Sequence, residues 1–299
     1  MSLVDYLDPL VAALLLAGIY AAMSVGMTVI YGVMKIVNLA HAGFLMLGAY
    51  FAYELFQRFH IDPLLGAILA LPAFFLFGMG VYQLLVRWLP KSDQPTLSSL
   101  LLMFGFWLVL QNIAYLKWQN EDRSITTSYT LSSMHLGSLY IPKVRLIVFV
   151  AAVISVVVLQ IVLRRSWFGR GMRALIQNPY AAQIVGVDDR KTAMFSFGLG
   201  TAFAGFAGAL LAMLYSFSPD FGRPFLLRSF VIIVLGGLES FSGVAIGALV
   251  LALVETYSIL IPHVEASYQP AISYGLLVVV LLALPKGIAG LLERKWRAG

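Results

Sequence analysis

Long uncharged, apolar windows recur along this chain and predict its architecture. An α-helix needs about 20 mostly apolar residues to cross a hydrocarbon layer of about 30 Å. Six windows reach about that length, and each predicts a membrane-spanning helix. They are Leu10–Tyr31, Pro63–Val86, Gln94–Leu116, Leu146–Leu163, Thr192–Pro219 and Ala266–Pro285.

Two further apolar stretches are interrupted by polar residues. Ile36–Tyr53 is uncharged but contains polar side chains, and Pro224–Pro262 is too long for one span. We interpret the second stretch as a short helix at about 226–238, a turn, and a full span at about 242–261. Two segments that overlap these stretches, VIYGVMKIVNLAHAGFLMLGAYFA and VIIVLGGLESFSGVAIGALVLAL, each run from apolar residues into Gly, through a polar break and into a Gly- and Ala-rich helix. Either an internal repeat or the general use of small residues in membrane helix packing explains this similarity.

Composition supports the same architecture. Hydrophobic residues make up 61% of the chain and charged residues 11%, whereas soluble domains contain about 25% charged residues. We therefore predict an all-α, polytopic transmembrane helical bundle of about eight or nine spans, with broken or short helices. The whole chain, residues 1–299, forms a single transmembrane domain in this interpretation.

The distribution of Lys and Arg predicts an orientation. With the N-terminus outside, more basic residues fall in cytoplasmic segments than in external ones, as the positive-inside rule requires. The basic loop 164–191 and the C-terminus are then cytoplasmic. If the segment at 226–238 is instead re-entrant, the C-terminus lies outside. Basic cytoplasmic loops account for the net charge of +6, so we expect no nucleic-acid partner.

The sequence offers little catalytic chemistry. It contains no cysteine, its four histidines are far apart, and it lacks a G-x-x-x-x-G-K-[ST] phosphate loop and an H-E-x-x-H zinc motif. We therefore expect no catalytic residue, no metal site and no cofactor. Any energy source would belong to a partner protein.

A short capped helix is predicted within the basic loop 164–191. Asn178 is a suitable N-cap, Pro179 fits the first helical position, and Gly186 ends the helix. Its surface is apolar and made partly of small residues, namely Tyr180, Ala181, Ala182, Ile184 and Val185. It is either a coupling helix that docks in a groove on a cytoplasmic ATPase or an interfacial helix that lies on lipid headgroups.

Several motifs resemble a known family. The N-terminal stretch GIYAAMSVGMTVIYGVMKIVNLAHAGFLMLGAYFA has the order VIYG, NLAHAG, LGAY, and the C-terminal blocks VLGGLESFSGVAIGALVLALVE and LPKGIAG agree with it. In the basic loop, Ala181-Ala182-x-x-x-Gly186 resembles the A-A-x-x-x-G core by which importer permeases contact their ATPases, although Tyr180 replaces the usual Glu. Together these motifs resemble the Liv-type (H subunit) branched-chain amino acid ABC transporter permease family.

This resemblance implies a function and a set of partners. It implies a permease subunit in the bacterial inner membrane that translocates branched-chain or related hydrophobic amino acids by alternating access. Its partners would be a second homologous permease, two cytoplasmic ABC ATPases that bind the ATP, a periplasmic substrate-binding protein and membrane lipid. Similar permeases carry urea, short amides or aromatic acids, and a passive channel for a small neutral solute is an alternative of another class.

Polar residues inside the predicted spans are candidates for the translocation path or gate. Asn38 and His41 belong to the family's pore-lining pattern, but they could instead hold a broken backbone that must be satisfied inside a membrane. A carboxylate within a membrane usually faces a cavity or a partner, so the acidic residues of the second stretch are also candidates. Arg228 is the candidate partner of Glu255, the deepest of these carboxylates. The candidates of the second stretch are Glu239, Ser240, Ser242 and Glu255.

Overall fold

The computed structural model describes residues 4–89, 95–130, 132–136, 139–260, 268–283, 287–288 and 290. These residues form a helical bundle and one short β-hairpin, which confirms the predicted all-α class. The helices are α1 (Val4–Met34), α2 (His41–Phe59), α3 (Pro63–Leu84), α4 (Pro95–Trp118), α5 (Lys143–Arg165), α6 (Trp167–Gln177), α7 (Pro179–Ile184), α8 (Asp189–Leu211), α9 (Gly222–Gly236), α10 (Phe241–Ser258) and α11 (Gln269–Ala283). A 3-10 turn, Val86–Trp88, follows α3, and strands β1 (Ser133–Leu136) and β2 (Leu139–Pro142) pair antiparallel before α5.

Six helices in the described part of the chain are long and apolar enough to cross a membrane: α1, α3, α4, α5, α8 and α10. Helix α11 is shorter, and the window Ala266–Pro285 is described only from 268 to 283. The window Thr192–Pro219 is not one helix, because α8 ends at Leu211 and the chain then turns. Phe217 pairs with Arg123 through two backbone hydrogen bonds of 2.8 and 2.9 Å, which hold that turn. The count of nine crossings remains a prediction.

Helix α8 forms the centre of the bundle, packed between α1, α2 and α3. Its glycines allow backbones to approach closely. A Cβ on Gly208 would lie 1.9 Å from the carbonyl oxygen of Leu45 in α2, and one on Gly200 would lie 2.5 Å from that of Gly26 in α1. Small residues permit such contacts between membrane helices, so close packing against α1 and α2 accounts for the glycines of this segment.

The segment between α1 and α2 folds back into the bundle. Lys35 has a φ of 55°, and the chain then returns along α1. The Nε2–H of His41, at the start of α2, donates to the carbonyl of Met23, 2.9 Å away. Met23 lies about three turns, ~16 Å, before the end of α1. Helix α2 therefore begins deep in the bundle.

The remaining loops divide between the two ends of the bundle. One end carries the segment after α4, where Trp118 donates to Glu54 and Tyr129 donates to Asp62. The other end carries α6, α7 and the end of α3, since the Nε2 of Gln83 contacts Met194 and a Cβ on Gly32 would contact Ile176. The structure thus places the segment after α4 and the basic loop 164–191 at opposite ends of the bundle. The basic C-terminal residues Lys286, Arg294, Lys295 and Arg297 lie outside the described residues.

Candidate coupling segment and translocation path

Helix α7 has the capping that the sequence predicts. The Asn178 side chain accepts a hydrogen bond of 3.1 Å from the backbone N–H of Ala181, Pro179 occupies the first position, and Gly186 follows the helix with a φ of +87°. A positive φ is costly for residues with a Cβ, so glycine suits this position. The amphipathic helix α6 precedes α7 and was not predicted from the sequence. Its N-cap is Ser166, which accepts from Gly169 at 3.0 Å.

Helix α7 presents an apolar surface away from the bundle. Only Ala182 is buried, whereas Tyr180 is 81% exposed and Ile184 is 86% exposed. Ala181 and Val185 are also exposed. Asp188 caps the following helix, and its pKa lies below the ordinary value because its carboxylate accepts a hydrogen bond from the backbone N–H of Lys191. The segment is thus held firmly at both of its ends and is uncovered on its outer face.

The two interrupted segments of the chain meet at the α6–α7 end of the bundle. Lys35, just after α1, forms an ion pair with Glu239, in the turn between α9 and α10. Gly237 begins that turn with a φ of 104°. Ser240 caps α10 by accepting from Gly243 at 3.0 Å, and its hydroxyl lies 3.3 Å from that of Ser242. The structure therefore places Glu239, Ser240 and Ser242 together, and it adds Lys35, which the sequence analysis did not connect with them.

Asn38 and His41 lie deeper and are fully buried. His41 holds the backbone of α1 through Met23, which supports a structural role for this residue. Three buried side-chain atoms here have no hydrogen-bond partner among the described residues. They are the amide nitrogen and oxygen of Asn38 and the Nδ1 of His41. Buried polar atoms are usually hydrogen-bonded, so these atoms distinguish the segment from the rest of the described interior.

Glu255 lies within α10 and is almost completely buried, with 1% of its surface exposed. Arg228 of α9 donates to its Oε1 at 3.1 Å, which confirms the partner suggested by the sequence. Tyr20 of α1 and Ser273 of α11 also donate to the carboxylate, each at 2.5 Å. The Arg228 side chain therefore lies mostly inside the bundle.

The buried cluster and the ion pair at the turn occupy different depths. Tyr20 lies about 15 residues before Lys35 along α1, which corresponds to ~22 Å. The structure therefore divides the candidate residues into three groups: Glu239 with its serines at one end, Asn38 and His41 inside, and Glu255 in a cluster that ties four helices together. Among the described residues, no three His, Cys, Asp or Glu side chains gather as a metal site would require.

A family model described as "Branched-chain amino acid transport system / permease component" matches residues 10–283. The chain belongs to this family. Its apolar helices and its family together make it a multi-pass membrane protein. The family's motifs lie on the elements just described, since NLAHAG spans the return into α2 and GGLESFSG spans the turn between α9 and α10.

Curated relatives match over most of this chain. The chain is 26% identical to the high-affinity branched-chain amino acid transport system permease protein LivH of Salmonella typhimurium, covering 95% of this chain and 96% of that protein. It is 27% identical to the permease protein BraD of the corresponding system of Pseudomonas aeruginosa, with the same coverage of both chains. It is also 26% identical to LivM of Escherichia coli, over 90% of this chain and 67% of that protein. No solved structure matches the chain.

Proposed function

We propose that this chain is the permease subunit of an ABC importer that moves branched-chain or related hydrophobic amino acids across the bacterial inner membrane. It pairs with a second homologous permease, binds two cytoplasmic ATPases through α7 and receives its substrate from a periplasmic binding protein. It catalyses no reaction itself, and the ATPases bind the ATP. Its N-terminus is periplasmic and its C-terminus is cytoplasmic.

The observation that carries this proposal is the exposed apolar face of α7. Isolated helices this short are marginal in water, yet Asn178 and Gly186 define both ends of α7. Tyr180 and Ile184 remain uncovered. A surface of this kind, on a segment that leads directly into the central helix α8, is suited to passing a movement of an ATPase to the bundle.

The two chain breaks supply the moving parts of an alternating-access cycle. The Lys35–Glu239 pair joins the α1–α2 and α9–α10 segments at the end that carries α7. Broken helices line the substrate path in many transporters. In this proposal the Lys35–Glu239 pair forms in one conformational state of the transporter. Its separation opens the path toward the cytoplasm. Specificity for the amino acid resides mostly in the binding protein, because an apolar side chain gains little from charged walls.

Replacement of Ile184 by Asn tests the docking role of α7. The side chain is exposed, so the fold should persist while ATPase binding and ATP-driven leucine uptake into proteoliposomes fall at least tenfold. The matched control is Leu116→Asn, because Leu116 is also 86% exposed but lies at the other end of the bundle. Gly186→Val is a second variant, in which strain at a positive φ should displace the helix and abolish uptake.

The same measurements separate the proposal from its alternatives. Solute flux that persists without ATP and tolerates Gly186→Val would identify a passive channel and overturn the proposal. ATP-driven uptake of urea, a short amide or an aromatic acid in place of leucine would keep the importer but replace its substrate. Equal uptake by Ile184→Asn and Leu116→Asn would contradict the coupling role of α7.

A further inference from the structure

A long cleft opens between α3 and α5, and α8 forms its floor. It has a volume of about 810 Å³ and is lined by eighteen residues, almost all of them aliphatic or aromatic. The hydroxyl of Ser155, which contributes to the wall, is bonded at 2.7 Å to the carbonyl of Ala152 in its own helix. The cleft therefore offers an amino acid no partner for its charged groups, and it is separate from the candidate translocation path.

The dimensions and the lining of the cleft favour a hydrocarbon chain over a helix of another protein. A helix about 10 Å wide that crosses a 30 Å layer occupies roughly 2,400 Å³, several times the volume of the cleft. Helices that pack in membranes approach through small or polar residues. The outward wall of the cleft consists instead of branched residues of α5, including Val150, Ile154 and Val158.

One end of the cleft leads directly to a basic, aromatic surface on α6. Phe75 lines the cleft and stacks on Phe195, whose ring also contacts Phe168 at the start of α6, with centroids 6.0 Å apart in both pairs. Next to Phe168, Trp167 is 84% exposed, and the guanidinium of Arg170 lies 4.1 Å from the centre of its ring.

The charged side chains at the end of α5 and on α6 are all basic. Arg165 and Arg170 are exposed beside Trp167. Arg170 donates one hydrogen bond of 3.3 Å to the carbonyl of Arg165, and Arg173 donates to the carbonyls of Leu163 and Arg164 at the end of α5. The opposite end has mixed charge, because Asp62 caps α3 there while Lys143 and Arg145 begin α5.

We infer that this cleft and the adjoining surface of α6 form a binding site for one anionic phospholipid. An acyl chain lies along α5 in the cleft, Trp167 lies at the level of the ester groups, and Arg165 and Arg170 contact the phosphate. Tryptophan is enriched at membrane interfaces, and basic sites between membrane helices bind anionic headgroups. Since α6 leads through Asn178 into α7, the lipid would also stabilise the position of the segment that carries α7.

The acyl-chain part of the site is tested with a matched pair of neighbouring residues. Val158 lines the cleft and is 52% exposed, whereas Val157 is 50% exposed and does not line it. Native mass spectrometry of the full-length protein, purified with its associated subunits, should show retained phosphatidylglycerol in the wild type and in Val157→Trp. Val158→Trp should retain at least fivefold less. Equal retention by the two variants would overturn the site.

Fluorescence quenching gives a second readout that does not depend on the bulky variant. The chain contains no cysteine, so Val158→Cys and Val157→Cys can each carry a single bimane label. In vesicles of phosphatidylcholine with a few per cent of brominated phosphatidylglycerol, the label at position 158 should be quenched at least twofold more than the label at 157. Equal quenching at both positions would mean ordinary lipid contact and would contradict the proposal.

The headgroup part is tested with a matched arginine. Arg170 stacks on Trp167, and Arg87 stacks on Trp88 at 4.5 Å beyond the end of α3. Arg170→Gln should lower the retention of phosphatidylglycerol at least threefold, and Arg87→Gln should leave it unchanged. Three results would each overturn the proposed lipid site. They are displacement of the lipid by inorganic phosphate, equal retention of phosphatidylethanolamine, and cross-linking of a second polypeptide to position 158. None of these readouts depends on ATP-driven uptake, so they can fail while the proposed function holds.

Discussion

Two ion pairs involve the α9–α10 region, but they lie at different depths and in opposite environments. Arg228 and Glu255 meet inside the bundle, with side chains 18% and 2% exposed, and Tyr20 and Ser273 complete the shell of the carboxylate. Lys35 and Glu239 meet at the end of the bundle, with side chains 45% and 49% exposed. Each pair connects groups that are distant along the chain or belong to different helices.

The difference in burial favours the exposed pair as the one that opens and closes in the proposed transport cycle. Loss of one partner from a buried pair leaves an uncompensated charge in a region of low dielectric constant, which costs about 3–5 kcal/mol. An exposed pair contributes only about 0–1 kcal/mol, because water solvates both groups after separation. We therefore assign Glu255 to the framework of the bundle and keep Glu239 as the candidate gate.

Replacement of Glu255 by Ala should cause the largest effect. Arg228 would remain buried without its carboxylate, so the free energy of unfolding should fall by about 3–5 kcal/mol. Thermal and denaturant unfolding of the purified protein in detergent would measure this fall. The matched control is Glu121→Ala, which removes an exposed carboxylate 3.4 Å from Arg123 and should change stability by less than about 1 kcal/mol.

A double replacement distinguishes charge from packing in this cluster. Arg228→Met combined with Glu255→Leu removes both charges, so most of the lost stability should return. If the double variant is as unstable as Glu255→Ala alone, the loss arises from packing, and the contrast between the two pairs does not hold.

Replacement of Tyr20 by Phe should cause an intermediate effect. It removes one hydrogen bond of 2.5 Å to the buried carboxylate, and bonds to charged groups contribute about 1.5–3 kcal/mol. Unfolding midpoints would measure the change, with Tyr31→Phe in the same helix as the control. A change in the free energy of unfolding below about 0.5 kcal/mol would mean that Arg228 and Ser273 are sufficient hydrogen-bond partners for the Glu255 carboxylate.

Replacement of Glu239 by Gln should hardly alter stability and should instead alter transport. The expected loss of stability is about 0–1 kcal/mol. In the proposed cycle the pair forms in one state only, so its loss should raise ATP hydrolysis in the absence of substrate about twofold, as a shift of ~0.5 kcal/mol implies. Lys35→Gln should behave identically. If the free energy of unfolding falls by more than about 2 kcal/mol, the Lys35–Glu239 pair belongs to the framework of the bundle as well.

Salt should produce the smallest effect and should act on one pair only. At 1 M salt the screening length falls to about 3 Å, so the hydrolysis rates of the wild type and of Glu239→Gln should converge. The stability difference between the wild type and Glu255→Ala should persist at the same salt concentration, since buried pairs are screened much less. Convergence of both differences would mean that Arg228 and Glu255 are accessible to solvent.

Local features of this protein could be predicted from its sequence. Apolar windows located the long spans because the thickness of a membrane sets a minimum length of helix. Asn178, Pro179 and Gly186 located α7 because a cap depends on residues a few positions apart. Helix α6 was missed although Ser166 caps it, since its basic residues resembled an ordinary loop.

Contacts between distant residues depended on the tertiary structure. The sequence suggested Arg228 for Glu255 because few other charges lie within the spans, but it gave no indication of Tyr20 or Ser273. The return of the chain at Lys35, which brings His41 beside Met23, decided the depth of α2. Periodicity and capping report on neighbours along the chain. Only the packing of α1, α9, α10 and α11 against one another brings Arg228 and Glu255 together inside the bundle.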